Sequence, residues 1–392
     1  MSEKKVVLAG GSGFLGRALT LELSRAGYEV VILTRKARRA DKVKRGSSRA
    51  LKHASSRARY VEWDGRTAGA WARELEGATA VVNLAGRSVA CRQTRENHRE
   101  ILESRVRSVE AIGRALAACA APPEVFVQAA SLAIYGDAGA RVCCEDAPAG
   151  RGFAPDVCLR WEHAFNSLDL SATRKVLLRI GFVLGRDGGA LPTLARLARV
   201  HLGGTTGTGR QYVSWIHVRD FCRLVLWCIE REDARGVFNA TGPAPTTNAE
   251  FMCELRCALK RRWSPRTPRW LVRLGAFLMR TDAELALNGR RAIPDRLVES
   301  NFKFIYTNLE SALADLVAER IVDNEDERIV DDKGDGVEEL KAAKLARVDV
   351  VRPARLASKA SPENLVLRTE ECSPSSGFVK SSKAAGSSRF RS

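Results

Sequence analysis

The 392-residue chain has no continuous apolar run approaching the ~18–20 residues that a membrane span requires. Its greasiest stretches, such as 224–229, are short and flanked by charge, which predicts a soluble protein without a membrane span. Only five residues precede the first apolar run at 6–9, so no signal peptide is expected ahead of it. Ten cysteines are present, yet none forms a Cys-x-x-Cys pair. Cys253 and Cys257 stand one helical turn apart with no matched His or Cys pair nearby, so no metal site is expected. Scattered, unpaired thiols point to a reducing compartment, cytoplasmic or alternatively the mitochondrial matrix. Aromatics are scarce at 6%, whereas Lys and Arg outnumber Asp and Glu by 64 to 46, a formal charge of +18.

The excess charge is localised. Residues 35–59 hold eleven bases and one acid. With no aromatic before Tyr60, this insert has no platform on which nucleic-acid bases could stack. It is either a solvated loop, a polyanion contact resting on phosphate attraction, or an extra grip on a cofactor phosphate. Residues 318–340 carry ten acids and three bases, and 341–392 reverse the sign with eleven bases and four acids. Such a tail buries too little apolar surface to offset its ordering entropy, so 318–392 is expected to be a disordered charged appendage, or an arm that orders on a protein partner.

In the remainder, short apolar runs at 6–9, 29–33, 60–62, 80–84 and 124–129 alternate with helix-period segments. That alternation predicts an α/β fold, a doubly wound parallel sheet of Rossmann type. The first run leads directly into Gly10-Gly11-Ser12-Gly13-Phe14-Leu15-Gly16 and then a helix-period stretch ending at Gly27. A glycine triplet between a strand and a helix is where a dinucleotide pyrophosphate binds, which makes Gly10, Ser12, Gly13, Phe14, Leu15 and Gly16 candidate cofactor residues. The second strand ends at Thr34-Arg35-Lys36, with no acid for a ribose 2′-hydroxyl and two cations instead. Thr34, Arg35 and Lys36 therefore favour NADP(H) over NAD(H), unless the cations only begin the solvated loop. Asp64 and Leu84-Ala85-Gly86, at the carboxyl ends of the third and fourth strands, are also candidate cofactor residues, Asp64 as an acceptor for the adenine amino group and Ala85-Gly86 as a small surface for the cofactor to cross.

These motifs resemble the extended short-chain dehydrogenase/reductases, in particular the atypical branch of the NAD-dependent epimerase/dehydratase family known as epimerase family proteins. The likeness continues through Gln128-Ala129-Ala130-Ser131-Leu132-Ala133-Ile134-Tyr135-Gly136, Arg179-Ile180-Gly181, Ser214-Trp215-Ile216-His217-Val218 and Gly289-Arg290-Arg291-Ala292-Ile293-Pro294. It implies an NADP-binding Rossmann domain over 1–180, with parts of the sheet continuing to about 245. A smaller α/β substrate subdomain would follow over 181–317.

The resemblance also implies a Tyr-x-x-x-Lys acid/base pair, which is missing here. The residues four places after Tyr28, Tyr60, Tyr135, Tyr212 and Tyr306 are Ile32, Asp64, Gly139, Ile216 and Glu310. On the helix that should carry the pair, Ala154 and Cys158 fall at the two positions if Glu162 aligns with the family's glutamate, and on the helix before the fifth strand Arg105, a further cofactor-binding candidate, replaces an expected Asn. The catalytic candidates that remain are Ser131 and Tyr135, the latter if a cation such as Arg105 depressed its pKa. Arg179, Arg210 and His217 are substrate-binding candidates, against the alternatives of a structural ion pair, a flexible glycine lid and a satisfied core histidine. Two functions fit: an NADP(H)-dependent reductase or epimerase-like enzyme acting on an unknown small carbonyl or sugar-like substrate, or a non-catalytic NADP-binding scaffold.

Overall fold

A computed structural model describes residues 4–35, 58–261, 263–278 and 282–317. Lys36, most of the basic insert and the whole tail from 318 lie outside the described residues. Seven strands form one parallel sheet: β1 (Lys5–Ala9), β2 (Glu29–Thr34), β3 (Ala58–Glu62), β4 (Ala80–Asn83), β5 (Val125–Ser131), β6 (Arg174–Ile180) and β7 (Gly236–Ala240). Their order is β7-β6-β5-β4-β1-β2-β3. The winding direction reverses between β1 and β4, whose registers pair Val7 with Val81, and the carboxyl ends of strands at such a reversal are where ligands bind in open α/β sheets. The strands are apolar on both faces because both are covered. Val6, Leu8, Val30 and Ile32 face one layer, while Val7, Ala9, Val31 and Leu33 face the other.

Helices α1 (Phe14–Arg25) and α5 (Val218–Glu230) cover the first face with Leu19, Leu23, Phe221 and Leu224. On the other face lie α2 (Arg95–Ala117) and α3 (Phe153–Asn166), contributing Val109, Ile112, Trp161 and Phe165. A separate apolar cluster belongs to the C-terminal region. There α4 (Leu191–Arg199), α6 (Asn248–Ala258) and α8 (Leu309–Val317) pack Leu191, Phe251, Leu255 and Leu313 around Trp215. The intervening α7 (Arg269–Leu278) buries only Ala276 and leaves Trp270, Leu274 and Phe277 exposed. It reaches the loop before α2, where the Arg92 guanidinium lies over the Phe277 ring and Gln93 bonds Asp282. Short parallel pairings join Phe182–Leu184 to Trp215–His217 and Arg291–Ala292 to Val142–Cys143. The last of these brings the C-terminal segment beside the loop that follows β5. Among the described residues no helix is long and apolar enough to cross a membrane.

Candidate functional site

The turn from β1 into α1 is built on three glycines with different jobs. Gly10 has φ +80°, and a Cβ there would lie 2.8 Å from the Leu84 carbonyl, so the turn can sit against the end of β4 only without a side chain. At Gly16 a Cβ would fall 2.4 Å from Gly11 Cα, which is why α1 packs so closely on the loop. Gly13 differs: among the described residues outside its chain neighbours its Cβ would meet the Gly10 carbonyl alone, at 3.4 Å, so its missing side chain leaves room for a ligand rather than for protein. Gly13 is also the N-cap of α1, with no side-chain cap and no acid in the first turn. The amides of this turn are therefore free of side-chain competition for an anion. Ser12 and Gly13 are exposed, while Leu15 packs against the core beneath them. Phe14 is seated on a bed of glycines, since a Cβ at Gly185 or Gly188 would come within 2.3 or 2.4 Å of its ring. That seat joins the nucleotide turn to the chain beyond β6, and the sequence alone offered no sign of it.

Thr34 and Arg35 stand at the end of β2, with Arg35 exposed and the Thr34 carbonyl accepting from Trp63 N. Asp64 is exposed too, but its carboxylate closes its own loop. It accepts from Arg66 N at 2.8 Å and from Thr67 N and Oγ1 at 2.9 and 2.7 Å, and these bonds hold its pKa below the usual carboxylate range. Most of its acceptor capacity is thus spent locally.

Further along the edge, Leu84 N donates to the Ala9 carbonyl and Ala85 N to the side chain of buried Asn83, fixing the loop after β4. Gly86 faces Arg105, whose Cγ and Cζ would lie 3.4 Å from a Cβ at that position. Ser131 ends β5 and caps the next helical turn by accepting from Ala133 N at 3.2 Å. Its hydroxyl hydrogen has no acceptor among the described residues. The fold therefore collects Gly10, Gly13, Ala85, Gly86, Arg105 and Ser131 along one carboxyl edge. A cavity of about 300 Å³ lined by Phe165, Asn166, Arg174 and Gly236 opens at the opposite, amino edge and is not part of this site.

Three expected site residues are placed otherwise. Tyr135 is 1% exposed. Its hydroxyl lies 2.9 Å from the Cys144 carbonyl and 2.8 Å from Asn239 Oδ1, and accepts from Arg179 Nη1 at 2.9 Å. Burial, only partly offset by Arg179, pushes its pKa up to about 12, the opposite of what an acid/base role required. Arg179 makes a two-pronged ion pair with Glu162 at 2.9 and 2.8 Å and also donates to the Glu145 carbonyl. Burial works against its charge, but the Glu162 bonds outweigh it and raise the pKa. Both residues are struts joining β5, β6, β7 and α3, and neither offers a free face to a substrate.

His217, 1% exposed, caps α5: Nδ1 accepts from Arg219 N at 3.1 Å and Nε2 meets Asp315 Oδ2 at 3.2 Å, with the ring stacked on Tyr306. Burial depresses its pKa below the ordinary 6.5, against the pull of Asp315. The folded chain thus holds the neutral ring, and the unfolded chain takes up the proton first. Stability is full above the unfolded value and is lost as pH falls below it. The denaturation midpoint should drop between about pH 7.5 and about pH 5.5, a range that spans the ordinary histidine value. His217→Gln should flatten that slope, and urea titrations of both proteins at the two pH values check it.

Arg210 is exposed, and the glycine loop around it is packed rather than open. A Cβ at Gly204 would overlap the Pro265 carbonyl, and one at Gly209 would lie 2.2 Å from Thr205 Cγ2. Cys158, at the expected lysine position, is buried with its pKa pushed up to about 12 by burial and by Glu162, so it stays a thiol. Two side chains that sequence reasoning did not assign to the site stand beside it, Arg290 and Trp161. Trp161 shares a buried helix face with Cys158 and Glu162, a spacing of three and four residues that was readable in advance.

Residues 6–154 match the model of the NAD dependent epimerase/dehydratase family, and residues 267–316 match a domain of unknown function, DUF1731. The chain is 32% identical over 319 residues to Epimerase family protein YfhF of Bacillus subtilis, a likeness covering 80% of this chain and 98% of that protein. It is also 32% identical over 319 residues to Epimerase family protein SDR39U1 of Bos taurus, covering 80% of this chain and all of that protein. Among solved structures it is similar to human epimerase family protein SDR39U1 (isoform 2) with NADPH. There the TM-score is 0.69 and the identity 30%, over 80% of this chain and 99% of that one.

Proposed function

The chain belongs to the NAD-dependent epimerase/dehydratase family, and from that premise we propose that it is an NADP(H)-dependent reductase or epimerase-like enzyme. Its substrate is a small carbonyl or sugar-like molecule, handled without a Tyr-x-x-x-Lys pair. The observation that carries the reading is the open face of Gly13 at an uncapped helix N-terminus, a cradle that a Cβ would fill, with a cation and no acid at the end of β2. A relative solved with NADPH supports the choice of nucleotide.

In this reading the amides after Gly10 and Gly13 hold the pyrophosphate, and Arg35 pairs with the 2′-phosphate. Ala85 and Gly86 let the cofactor cross the edge of the sheet without a side chain in its way. When bound, the nicotinamide gives or takes a hydride. The protein holds the substrate oxygen: Ser131 keeps a free hydroxyl hydrogen to donate, and Arg105 adds a positive charge nearby. Neither the Tyr135 phenol nor the Cys158 thiol moves the proton, because both are buried with their pKa values pushed up to about 12.

A fluorescence titration with NADPH and NADH tests this. NADPH should bind the tighter, and Arg35→Asp should weaken NADPH roughly tenfold or more, the loss of one charge-assisted contact, while leaving NADH nearly unchanged. Equal affinity for the two nucleotides in the wild type would remove Arg35 from the site.

A further inference from the structure

Around the Cys158 thiol the protein assembles hydrogen-bond donors without matching acceptors. Arg105, on α2, gives one nitrogen to two carbonyls, Nη1 to Arg87 O at 3.0 Å and to Ile101 O at 2.9 Å. Its Nε and Nη2 have no partner among the described residues. The guanidinium lies over the Trp161 ring, 5.1 Å from the centroid. Trp161 is 6% exposed, and its indole N–H is buried with no hydrogen-bond partner.

Arg290 approaches from the C-terminal segment. Its backbone is pinned, N donating to the Tyr212 carbonyl at 3.2 Å and O accepting from Ser214 Oγ at 2.8 Å. The adjoining Ala292 packs in the cluster of Leu132, Tyr135, Cys143 and Cys158. The Arg290 guanidinium makes no hydrogen bond or ion pair among the described residues. Burial lowers the pKa of both arginines, and both lie within electrostatic reach of the Cys158 thiol.

The acids in the neighbourhood are otherwise engaged. Glu162 is taken by Arg179 at 2.8 Å. Asp137 faces Arg290 without forming an ion pair, and its Oδ1 accepts from Gly289 N at 3.1 Å. Two partly desolvated guanidinium groups, neither in an ion pair among the described residues, and a buried indole N–H leave several donors unsatisfied as they stand. Each buried donor left unpaired costs about 1–3 kcal/mol. An oxyanion between the two arginines would meet their unpaired N–H groups, because a planar guanidinium fork matches carboxylate or phosphate oxygens.

We propose that the substrate carries an oxyanion, held between Arg105 and Arg290 beside Ser131. The site lies where the family's tyrosine and lysine would have stood. The assignment of this oxyanion to the substrate rests on the reading that the same edge of the sheet holds NADP(H). The carbonyl to be reduced or epimerised would then lie close to the charged group, as in a 2-oxo acid or a phosphorylated ketone, and the arginines would fix its orientation before any proton moves.

The test uses the full chain and two probes, malonate and inorganic phosphate, followed by calorimetry with and without NADPH. One of them should bind saturably to the wild type, the tighter one telling carboxylate from phosphate. Arg290→Gln should weaken it at least tenfold, about 1.4 kcal/mol or more, while NADPH affinity changes less than twofold, about 0.4 kcal/mol or less. Arg290→Lys should restore part of the loss. Arg105→Gln, on a different element, should repeat the loss and guards against a folding defect in one variant. Saturable binding that survives both glutamine substitutions overturns the proposal, as does the failure of both probes to bind the wild type. Failure of the cofactor reading shows separately, as anion binding to a wild type that takes no NADPH.

Discussion

Glu162→Ala should unfold at a markedly lower denaturant concentration than the wild type, a loss of about 3–5 kcal/mol. The substitution strands the Arg179 guanidinium in a site where its side chain is 11% exposed and that of Glu162 only 8%. Burying the pair is not in itself a large gain, because desolvation consumes most of the attraction. Removing one member is a different matter, since the remaining charge keeps its desolvation cost and loses its compensation. Arg179 would keep only the Tyr135 hydroxyl and the Glu145 carbonyl, two neutral acceptors. Glu162→Gln, which keeps one acceptor oxygen, should fall between the two. Chemical denaturation of the three proteins at one pH checks the order. An alanine variant within about 1 kcal/mol of wild type, the range of exposed ion pairs, would mean that solvent reaches Arg179.

The same ion pair shows where the sequence stopped being readable. The strands were legible because each is a short apolar run, and the expected 6–9, 29–33, 80–84 and 124–129 fall within a residue or two of β1, β2, β4 and β5. The glycine turn was legible because the three glycines, the strand before and the helix after lie in one stretch of chain. The roles of Tyr135 and Arg179 were not, because they depend on partners far along the chain. Tyr135 bonds Asn239, and Arg179 bonds Glu162. No local pattern announces such pairs. A signal was present on α3, where Glu162 shares a face with Pro155, Cys158, Trp161 and Phe165, all buried. A carboxylate on a buried helix face demands a cation, and Arg179 at the end of a buried strand was the available one. His217 followed the same logic, its place before a helix making it a cap rather than a ligand. Arg290 gave no such local sign, because its guanidinium has no hydrogen-bond or ion-pair partner among the described residues that a sequence pattern could match.

With the phenol of Tyr135 committed and Cys158 held as a thiol, the reaction proposed for the carboxyl edge would rest on charge and on the Ser131 hydroxyl. Electrostatic groups aimed at a developing oxyanion can supply several kcal/mol of transition-state stabilisation by themselves. The loss of the acid/base pair therefore does not empty the site.

Gly13→Val should abolish NADPH binding, lowering affinity more than about 100-fold, or roughly 2.7 kcal/mol, while leaving the fold nearly as stable as wild type. The backbone at Gly13 has φ −75° and ψ 178°, a conformation open to any residue. Among the described residues, and apart from its chain neighbours, a Cβ there meets the Gly10 carbonyl oxygen alone, at 3.4 Å. The new side chain would enter at a point where its Cβ meets little protein and where the proposed reading puts the pyrophosphate. Gly16→Ala makes the contrast, since its single methyl would press on the backbone of Gly11 and Gly10 at 2.4 and 2.5 Å. Backbone cannot yield as a side chain can, so that variant should lose about 1–3 kcal/mol of stability, with nucleotide binding falling as a consequence of the displaced helix. Thermal unfolding beside a fluorescence titration separates the two cases. A Gly13→Val protein that binds NADPH like the wild type would place the nucleotide away from the N-terminus of α1, and with it the whole reading of the carboxyl edge would fall.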